Sequence, residues 1–227
     1  MPIDIGRARR QHAEYQRVLA QHGYEVIELP EAPELPDSVF VEDAAVVLPE
    51  CAVITRPGAP SRRGEIATIR AALAPFRELQ EIIEPAALDG GDVVLLGRRL
   101  FVGWSTRTNP AAVEQLRAML SPFDYEVVAV RVNAALHLKS VATAVADDLI
   151  VVDSKAVDPA VFGTRFVDVS ADAANMLRLD DVVLCPPPAA RYIGRLEGEG
   201  LSMQLLDNTE LAKAEGGLTC CSLLIPH

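Results

Sequence analysis

Three kinds of side chain that together perform nucleophilic catalysis are spread along this chain: a thiol, an imidazole and a carboxylate. Cys220 lies in EGGLTCCSL (215–223), His137 in LHLK (136–139) and Asp89 in DGGD (89–92). A thiol becomes a good nucleophile when a base or cation stabilises its thiolate, and a histidine oriented by a carboxylate is the recurring base. The three residues therefore suggest covalent catalysis, provided that the fold brings them together.

Each of these features also has a simpler interpretation. Cys220 and Cys221 could be a nucleophile and its neighbour, half of a metal site, a redox pair, or two small apolar residues of a buried strand. DGGD could be a plain turn, and His137 could be a hydrogen-bonded core histidine. What these interpretations do not explain is the concentration of carboxylates inside strand-like segments, where burial is costly without a partner.

The charged residues near these motifs suggest the substrate. Four carboxylates would suit a cationic group: Asp37, Glu42, Asp43 and Asp92. Two arginines, Arg62 and Arg107, follow in PSRRGE and WSTRTN and would suit a carboxylate, which a guanidinium binds with two parallel hydrogen bonds. A molecule with a cationic end and a carboxylate end is an amino acid of the arginine kind.

Composition excludes several other classes of function. The formal net charge of −11 argues against nucleic acid. There is no CxxC or HExxH pattern and no Gly-rich nucleotide loop, so we expect neither a metal nor an organic cofactor. The polar N-terminus and the absence of a long apolar run predict no signal peptide and no membrane span, and four unevenly placed cysteines predict reduced thiols and a cytoplasmic protein.

Local patterns predict the elements that must position these side chains. Helices are expected over 7–22, from Ser61 to about Phe76, and from Asn109-Pro110 to about Leu120, where Asn is an N-cap and Pro the first helical residue. Short aliphatic strands alternate with these helices, including EVIEL (25–29) and LTCCSLLI (218–225). Five segments enter a strand pair through a polar cluster, at a spacing of roughly 35–50 residues, which suggests a propeller-like array with the clusters around one axis.

Seven motifs, in this order, resemble those of the dimethylarginine dimethylaminohydrolases. They are DSVFVED (37–43), ITRPGAPSRRGE (54–65), LDGGDVVLLG (88–97), STRTN (105–109), LHLK (136–139), AAN (173–175) and GGLTCCS (216–222). The resemblance covers about residues 5–225. It implies an α/β fold, the five-bladed α/β-propeller of the guanidine-modifying superfamily, as one domain over 1–227 with a central active site. It also implies cofactor-independent hydrolysis of Nω-methylated arginines to citrulline and methylamine or dimethylamine.

The resemblance also assigns individual roles. Cys220 matches the nucleophile, His137 the general acid/base and Asp89 the carboxylate that orients it. The substrate-binding positions are Asp43 and Glu42 for the guanidinium, Arg62 and Arg107 for the carboxylate, and Asp37 and the Ala214 backbone for the α-amino group. Because adjacent residues of a strand point to opposite faces, we expect Cys221 to pack away from the pocket, and we expect the two glycines to turn the chain into the strand.

One departure from the family matters. This chain begins almost at the first helix, whereas family members carry a preceding strand and a loop over the substrate, so we expect the last blade to lack its N-terminal strand. An open sheet edge would invite a homodimer or weak activity. Two rival functions therefore stay open: another guanidine-modifying enzyme such as an arginine deiminase, and a non-catalytic binder of arginine analogues.

Overall fold

The computed structural model describes residues 2–133 and 135–226. The α-helices are α1 (Ile5–Gln21), α2 (Ile66–Leu73), α3 (Pro110–Leu120), α4 (Ala171–Ala174) and α5 (Ile193–Gly198). The strands are β1 (Ala45–Val47), β2 (Cys51–Ile54), β3 (Glu78–Glu81), β4 (Val93–Leu96), β5 (Arg99–Trp104), β6 (Glu126–Arg131), β7 (Ala142–Ala146), β8 (Leu149–Val152), β9 (Arg165–Asp168), β10 (Leu177–Leu179), β11 (Val182–Cys185) and β12 (Ser202–Leu205).

These strands form repeated units of one design. Within the described residues there are four sheets of three strands each, in the orders β1-β2-β3, β4-β5-β6, β7-β8-β9 and β10-β11-β12. The first two strands of each sheet pair antiparallel, and the third returns parallel to the second after a helical connection. We number the sheets with their connections as units one to four.

The hydrophobic core runs between neighbouring units. Apolar residues of units one and two share one cluster, units two and three share another, and units three and four share a third. The position between units four and one is filled by α1 and the C-terminal stretch. Tyr15, Val18 and Leu218 pack on unit four, while Leu223 and Ile225 pack on unit one. The chain therefore closes into a ring in which its two ends meet.

A short turn or helix precedes the first strand of each unit, and one more short turn follows unit four; we call these five segments the inner turns. They are the 3₁₀ turns Val41–Ala44, Gly90–Asp92, Leu138–Ser140 and Thr219–Cys221, together with α4. Val41–Ala44 contacts both Gly90–Asp92 and Thr219–Cys221, and Leu138–Ser140 contacts Gly90–Asp92 and α4. The polar clusters of the sequence repeat are thus gathered around one centre.

Some local predictions hold and others do not. The Asn109 side chain accepts a hydrogen bond from the Ala112 amide at 3.2 Å, and Pro110 opens α3, as expected. Residues 60–65 form a 3₁₀ turn, so α2 is shorter than the helix expected there. The stretches 25–29 and 218–225 were expected to be strands, but neither has a ladder partner among the described residues, and Thr219–Cys221 is a 3₁₀ turn.

None of the helices within residues 2–133 and 135–226 is long and apolar enough to cross a lipid bilayer.

Candidate active site

His137 and Asp89 form a buried hydrogen-bonded pair. The Nε2 atom of His137 lies 3.0 Å from Oδ2 of Asp89, and both residues are buried. The other carboxylate oxygen of Asp89 accepts a hydrogen bond from the Gly58 amide at 2.8 Å. The Asp89 amide in turn donates to the Thr108 hydroxyl at 3.2 Å. Asp89 is therefore held from two sides and is hydrogen-bonded to the imidazole, and its role of orienting His137 in catalysis stays a prediction.

Asp43 belongs to the same cluster. Its Oδ1 atom accepts a hydrogen bond from the Gly91 amide at 2.9 Å and lies 3.9 Å from Nε2 of His137. A Cβ atom at position 91 would come within 2.7 Å of Oδ1 of Asp43 and 2.9 Å of Nδ1 of His137. The second glycine of DGGD is thus required because the backbone passes directly against the side chains of Asp43 and His137.

The imidazole of His137 is tuned by opposing effects. Burial alone would lower its pKa, because a charged imidazolium is poorly solvated there. The hydrogen bond with Asp89 and the charges of Asp43 and Asp92 outweigh this effect, so the pKa of His137 is raised above its ordinary value. The protonated form that could donate to a leaving group is therefore favoured.

Cys220 lies in the inner turn Thr219–Cys221, and its Sγ atom accepts a hydrogen bond from the Gly217 amide at 3.2 Å. Burial raises the pKa of the Cys220 thiol well above its ordinary value, and the charges of Glu42 and Asp43 add to this effect. Both effects favour the neutral form of the thiol.

Cys221 behaves differently from its neighbour. Its side chain packs against the apolar cluster of α1 and unit four, which includes Tyr15 and Leu218. Burial, with a contribution from Glu42, raises the pKa of the Cys221 thiol to about 12. Both cysteines lie in the same 3₁₀ turn, Thr219–Cys221, rather than on the strand that the sequence predicted.

Glu42 does not share the environment of Asp43, although the two are adjacent. Its Oε1 atom is 2.6 Å from Nζ of Lys139, and its Oε2 atom accepts a hydrogen bond from the Thr219 hydroxyl at 2.7 Å. Both oxygens therefore have protein partners. The resemblance implied that Glu42 lies beside Asp43 at the substrate guanidinium, whereas in the structure its carboxylate bonds to Lys139 and to Thr219 in the turn of Cys220.

Arg62 departs from its expected role. Its guanidinium is buried, forms an ion pair with Asp43, and donates to both oxygens of Glu65 at 3.0 and 2.8 Å. It also donates to the carbonyls of Phe40 and Asp37 at 2.9 and 3.1 Å. Because its donors are committed to these acceptors, Arg62 holds Asp43 in place, whereas the sequence expected it to hold the carboxylate of a substrate.

Arg107 is the contrasting arginine. It is half-buried, and its guanidinium forms no ion pair with any residue of 2–133 or 135–226. Its backbone passes close to Gly58, where a Cβ atom would lie 2.4 Å from the Arg107 carbonyl oxygen. The loop that carries Arg107 is therefore packed against the segment that anchors Asp89, while the side chain keeps its donors.

Asp37 and Ala214 are both exposed, Asp37 just before the first inner turn and Ala214 at the end of the 3₁₀ turn Leu211–Ala214. Their contacts with an α-amino group stay a prediction. Asp92 differs from expectation, since it is fully buried and accepts hydrogen bonds from the Ser105 hydroxyl at 2.6 Å and the Leu138 amide at 2.9 Å. It links the Arg107 loop to the residue after His137.

The centre of the site could accept a cation. Asp43, Asp89 and His137 each offer a ligand atom, and within the described parts of the chain these atoms lie within 4.8 Å of one another. They are already bonded to each other, to Arg62 and to backbone amides. A metal ion would have to displace those bonds, which favours a site without metal. The expectation of a metal-free site stays a prediction.

Comparison with known proteins shows the family of this chain. The profile of the family described as "N,N dimethylarginine dimethylhydrolase, eukaryotic" matches residues 3–163. An N(G),N(G)-dimethylarginine dimethylaminohydrolase of Streptomyces coelicolor is 40% identical over 224 residues, which is 97% of this chain and 87% of that protein. A protein of the same name from Pseudomonas aeruginosa is 30% identical over 226 residues, or 97% and 89% of the two chains.

Solved structures give the same result. The P. aeruginosa enzyme, crystallised as a Cys-to-Ser mutant complexed with citrulline, superposes with a TM-score of 0.92 at 29% identity, covering 97% of this chain and 89% of that one. The N-terminal domain of a cyanobacterial arginine dihydrolase shares the fold, with a TM-score of 0.87 at 21% identity over 97% and 87% of the two chains. The α/β-propeller expected from the sequence is thereby confirmed, and the chain belongs to the dimethylarginine dimethylaminohydrolase family.

Proposed function

We propose that this chain hydrolyses Nω-methylated arginines to citrulline and dimethylamine or methylamine through a covalent adduct on Cys220. One observation carries the proposal. Asp43 lies 3.9 Å from the Nε2 atom of an Asp89-bound His137, and the inner turn of Asp43 contacts the inner turn of Cys220. A cation acceptor and a thiol are thus supplied by inner turns that touch one another, and the oriented acid/base lies beside the cation acceptor.

The substrate guanidinium binds against Asp43. Its positive charge offsets the carboxylates that hold the Cys220 thiol in its neutral form, so substrate binding itself favours the thiolate. The released proton goes to solvent, and Sγ forms a bond to the guanidinium carbon. Because the cation is held in place by fixed, buried groups, positioning contributes several kcal/mol to lowering the barrier.

His137 then acts first as a general acid and afterwards as a general base. As imidazolium it donates a proton to the departing nitrogen while the C–N bond breaks, which leaves a thiouronium adduct and the free amine. Neutral His137 next takes a proton from water as the water oxygen bonds to the same carbon. Breakage of the C–S bond, with return of a proton to the thiolate, releases citrulline. The raised pKa of His137 suits the first of these steps.

The remaining assignments concern the amino acid end of the substrate. Arg107 holds the α-carboxylate, because its guanidinium retains donors that the buried Arg62 has committed to protein acceptors. Asp37 and the Ala214 carbonyl hold the α-amino group. Arg62 supports Asp43 and does not touch the substrate.

The wider setting belongs to the same proposal. The chain works as one domain over 1–227, in the cytoplasm, where its cysteines stay reduced. We also propose that it pairs as a homodimer, as an uncovered sheet edge would favour.

The decisive experiment measures citrulline release by the purified protein from asymmetric dimethylarginine, monomethylarginine and free arginine. Cys220→Ser is the control. We expect turnover of the methylated substrates only, with loss in the control and a wild-type adduct trapped by acid quench and detected by mass spectrometry. Preference for free arginine would favour a deiminase. Turnover that survives Cys220→Ser would overturn the mechanism, and ligand-induced thermal stabilisation without turnover would favour a binder.

A further inference from the structure

Thr219, the residue before the nucleophile, is held by three side-chain hydrogen bonds. Its amide donates to Oδ1 of Asn175 at 2.9 Å, and its hydroxyl donates to Oε2 of Glu42 at 2.7 Å. The same hydroxyl oxygen accepts a hydrogen bond from Nδ2 of Asn175 at 3.0 Å. Thr219 is buried, so each of these bonds lies away from competing water.

Asn175 also lies against the other residue that contacts the thiol. A Cβ atom at position 217 would come within 2.2 Å of Cγ of Asn175, so the Asn175 amide packs directly on the Gly217 backbone. The Gly217 amide is the group that donates to Sγ of Cys220 at 3.2 Å. Asn175 therefore contacts both Gly217 and Thr219, the two residues on the N-terminal side of Cys220 that fix its turn.

Lys139 completes this arrangement. Its ammonium lies 2.6 Å from Oε1 of Glu42, and its carbonyl accepts a second hydrogen bond from Nδ2 of Asn175 at 3.1 Å. The ion pair balances a buried carboxylate and leaves the other Glu42 oxygen available to Thr219. Residues of units one, three and four are thereby joined to the turn that carries Cys220.

We propose that Asn175 and Thr219 are positioning residues that, with the Glu42–Lys139 ion pair, hold the Cys220 thiol toward the substrate carbon. We call these four residues the thiol clamp. Cys220 needs such a clamp because its turn has no ladder partner among the described residues. For the reaction the inference rests on the proposed function, but the thiol itself can be tested without any substrate. An error of about 1 Å in placement can lower a rate by about 100-fold.

The key variant is Thr219→Val, which preserves shape and removes the hydroxyl. We expect kcat for asymmetric dimethylarginine to fall by about 30–100-fold with KM within about threefold, because placement and not affinity is lost. Thr219→Ser restores the hydroxyl and should return kcat to within about threefold of wild type. Asn175→Ala should resemble Thr219→Val. Thr164→Val is the matched control, since Thr164 donates at 2.6 Å to the Asp148 carbonyl, outside the clamp.

A second readout needs no substrate turnover. Iodoacetamide labelling followed by peptide mass spectrometry gives the ratio of Cys220 to Cys221 modification in each variant. Wild type and Thr164→Val should label mainly at Cys220. In Thr219→Val and Asn175→Ala this ratio should fall by about tenfold, because the turn no longer fixes which thiol faces the pocket.

The two readouts separate the two hypotheses. If wild type turns over no methylated arginine but the clamp variants lose labelling selectivity, the proposed function fails and the clamp stands. If kcat and selectivity both survive in Thr219→Val and Asn175→Ala, the clamp is overturned. Thermal melting of every variant sets the assay temperature below its transition. If Thr219→Val does not fold, the other two variants decide: the clamp requires kcat to fall in Asn175→Ala, and a similar fall in Thr219→Ser, which keeps the hydroxyl, would contradict it.

Discussion

Glu42 and Asp43 are neighbours in one inner turn, yet they lead to two halves of the site. Asp43 joins Arg62, Asp89 and His137, which we call the acid–base half. Glu42 joins Lys139, Asn175, Thr219 and Cys220, which we call the nucleophile half. The first half is a buried set of charges held by ion pairs and backbone amides. The second is held by links between residues as far apart in the chain as Glu42 and Thr219.

On the proposed function, the two halves have different tasks. The acid–base half sets protonation states, since burial and neighbouring charges act on His137 directly. The nucleophile half sets position, since the Cys220 turn gains its geometry from ring closure. Loss of charge should therefore damage the first half most, and loss of a hydrogen-bonding shape should damage the second. The following predictions test this contrast.

Removal of the nucleophile should have the largest effect. Cys220→Ser replaces the thiol with a poorly ionised hydroxyl, and we expect kcat for methylated arginine to fall by about 10⁴-fold or more. Citrulline release under single-turnover conditions measures this, with thermal melting as the control for folding. Residual activity within about tenfold of wild type would place the covalent chemistry elsewhere.

Asp89→Asn removes the charge of Asp89 and nearly keeps the shape of its side chain, so it tests the acid–base half. The pKa of His137 should fall, because the hydrogen bond that its imidazole donates to Asp89 is one of the effects that raise it. We expect kcat to fall by about 100-fold or more, since the imidazolium loses its partner. NMR titration of His137 together with the kinetics checks both parts. An unchanged titration would show that Asp89 is not the group that tunes this histidine.

Replacement of Arg62 should mainly lower stability, whereas replacement of Arg107 should mainly raise KM. Arg62→Leu leaves Asp43 and Glu65 buried and unpaired, so we expect a loss of about 3–5 kcal/mol in the free energy of unfolding. Arg107→Leu should change stability by less than about 1 kcal/mol but raise KM by about 10–100-fold, through the lost substrate carboxylate bond. Urea unfolding and steady-state kinetics on both variants measure the contrast. A raised KM at full stability in Arg62→Leu would restore its sequence-based role.

In the free enzyme, the Cys220 thiol should lose its proton at a higher pH than an ordinary thiol. Because burial and the charges of Glu42 and Asp43 raise the pKa of Cys220, its neutral form persists above the ordinary thiol pKa of about 8.5. Labelling of Cys220 by iodoacetamide should therefore be slow at neutral pH and increase with an apparent pKa above that value. Labelling that is already maximal at pH 7 would mean that the free enzyme holds a thiolate.

The smallest effect on kcat is expected at Cys221, the residue next to Cys220. Cys221 packs in the apolar cluster of α1 and unit four, so Cys221→Ser should keep kcat within about threefold of wild type. Citrulline release compared with Cys220→Ser measures it. A loss of the same size in both variants would mean that the turn does not separate the two thiols.

Local chemistry in the sequence was enough to predict several features. Asn109-Pro110 predicts the start of α3 because the cap and the proline act within one helical turn. The repeated strand pairs follow from the alternation of aliphatic runs and polar clusters, and the ordered motifs predict the family and fold that the comparisons confirm. The pairing of Asp89 with His137 was also predicted, because an imidazole and a carboxylate are the types that catalysis combines.

Other features depend on neighbours that lie far away in the chain. No local pattern separates Arg62 from Arg107, yet Glu65, Asp43 and two carbonyls satisfy only the first. The strand expected at 218–225 depends on a ladder partner, which a local pattern cannot supply. The sequence by itself determined which reactive groups this protein has and the family it belongs to. The tertiary structure decided which of its buried charges face each other. Each buried charge requires a partner, and the closure of the ring of units determines which partner lies next to it.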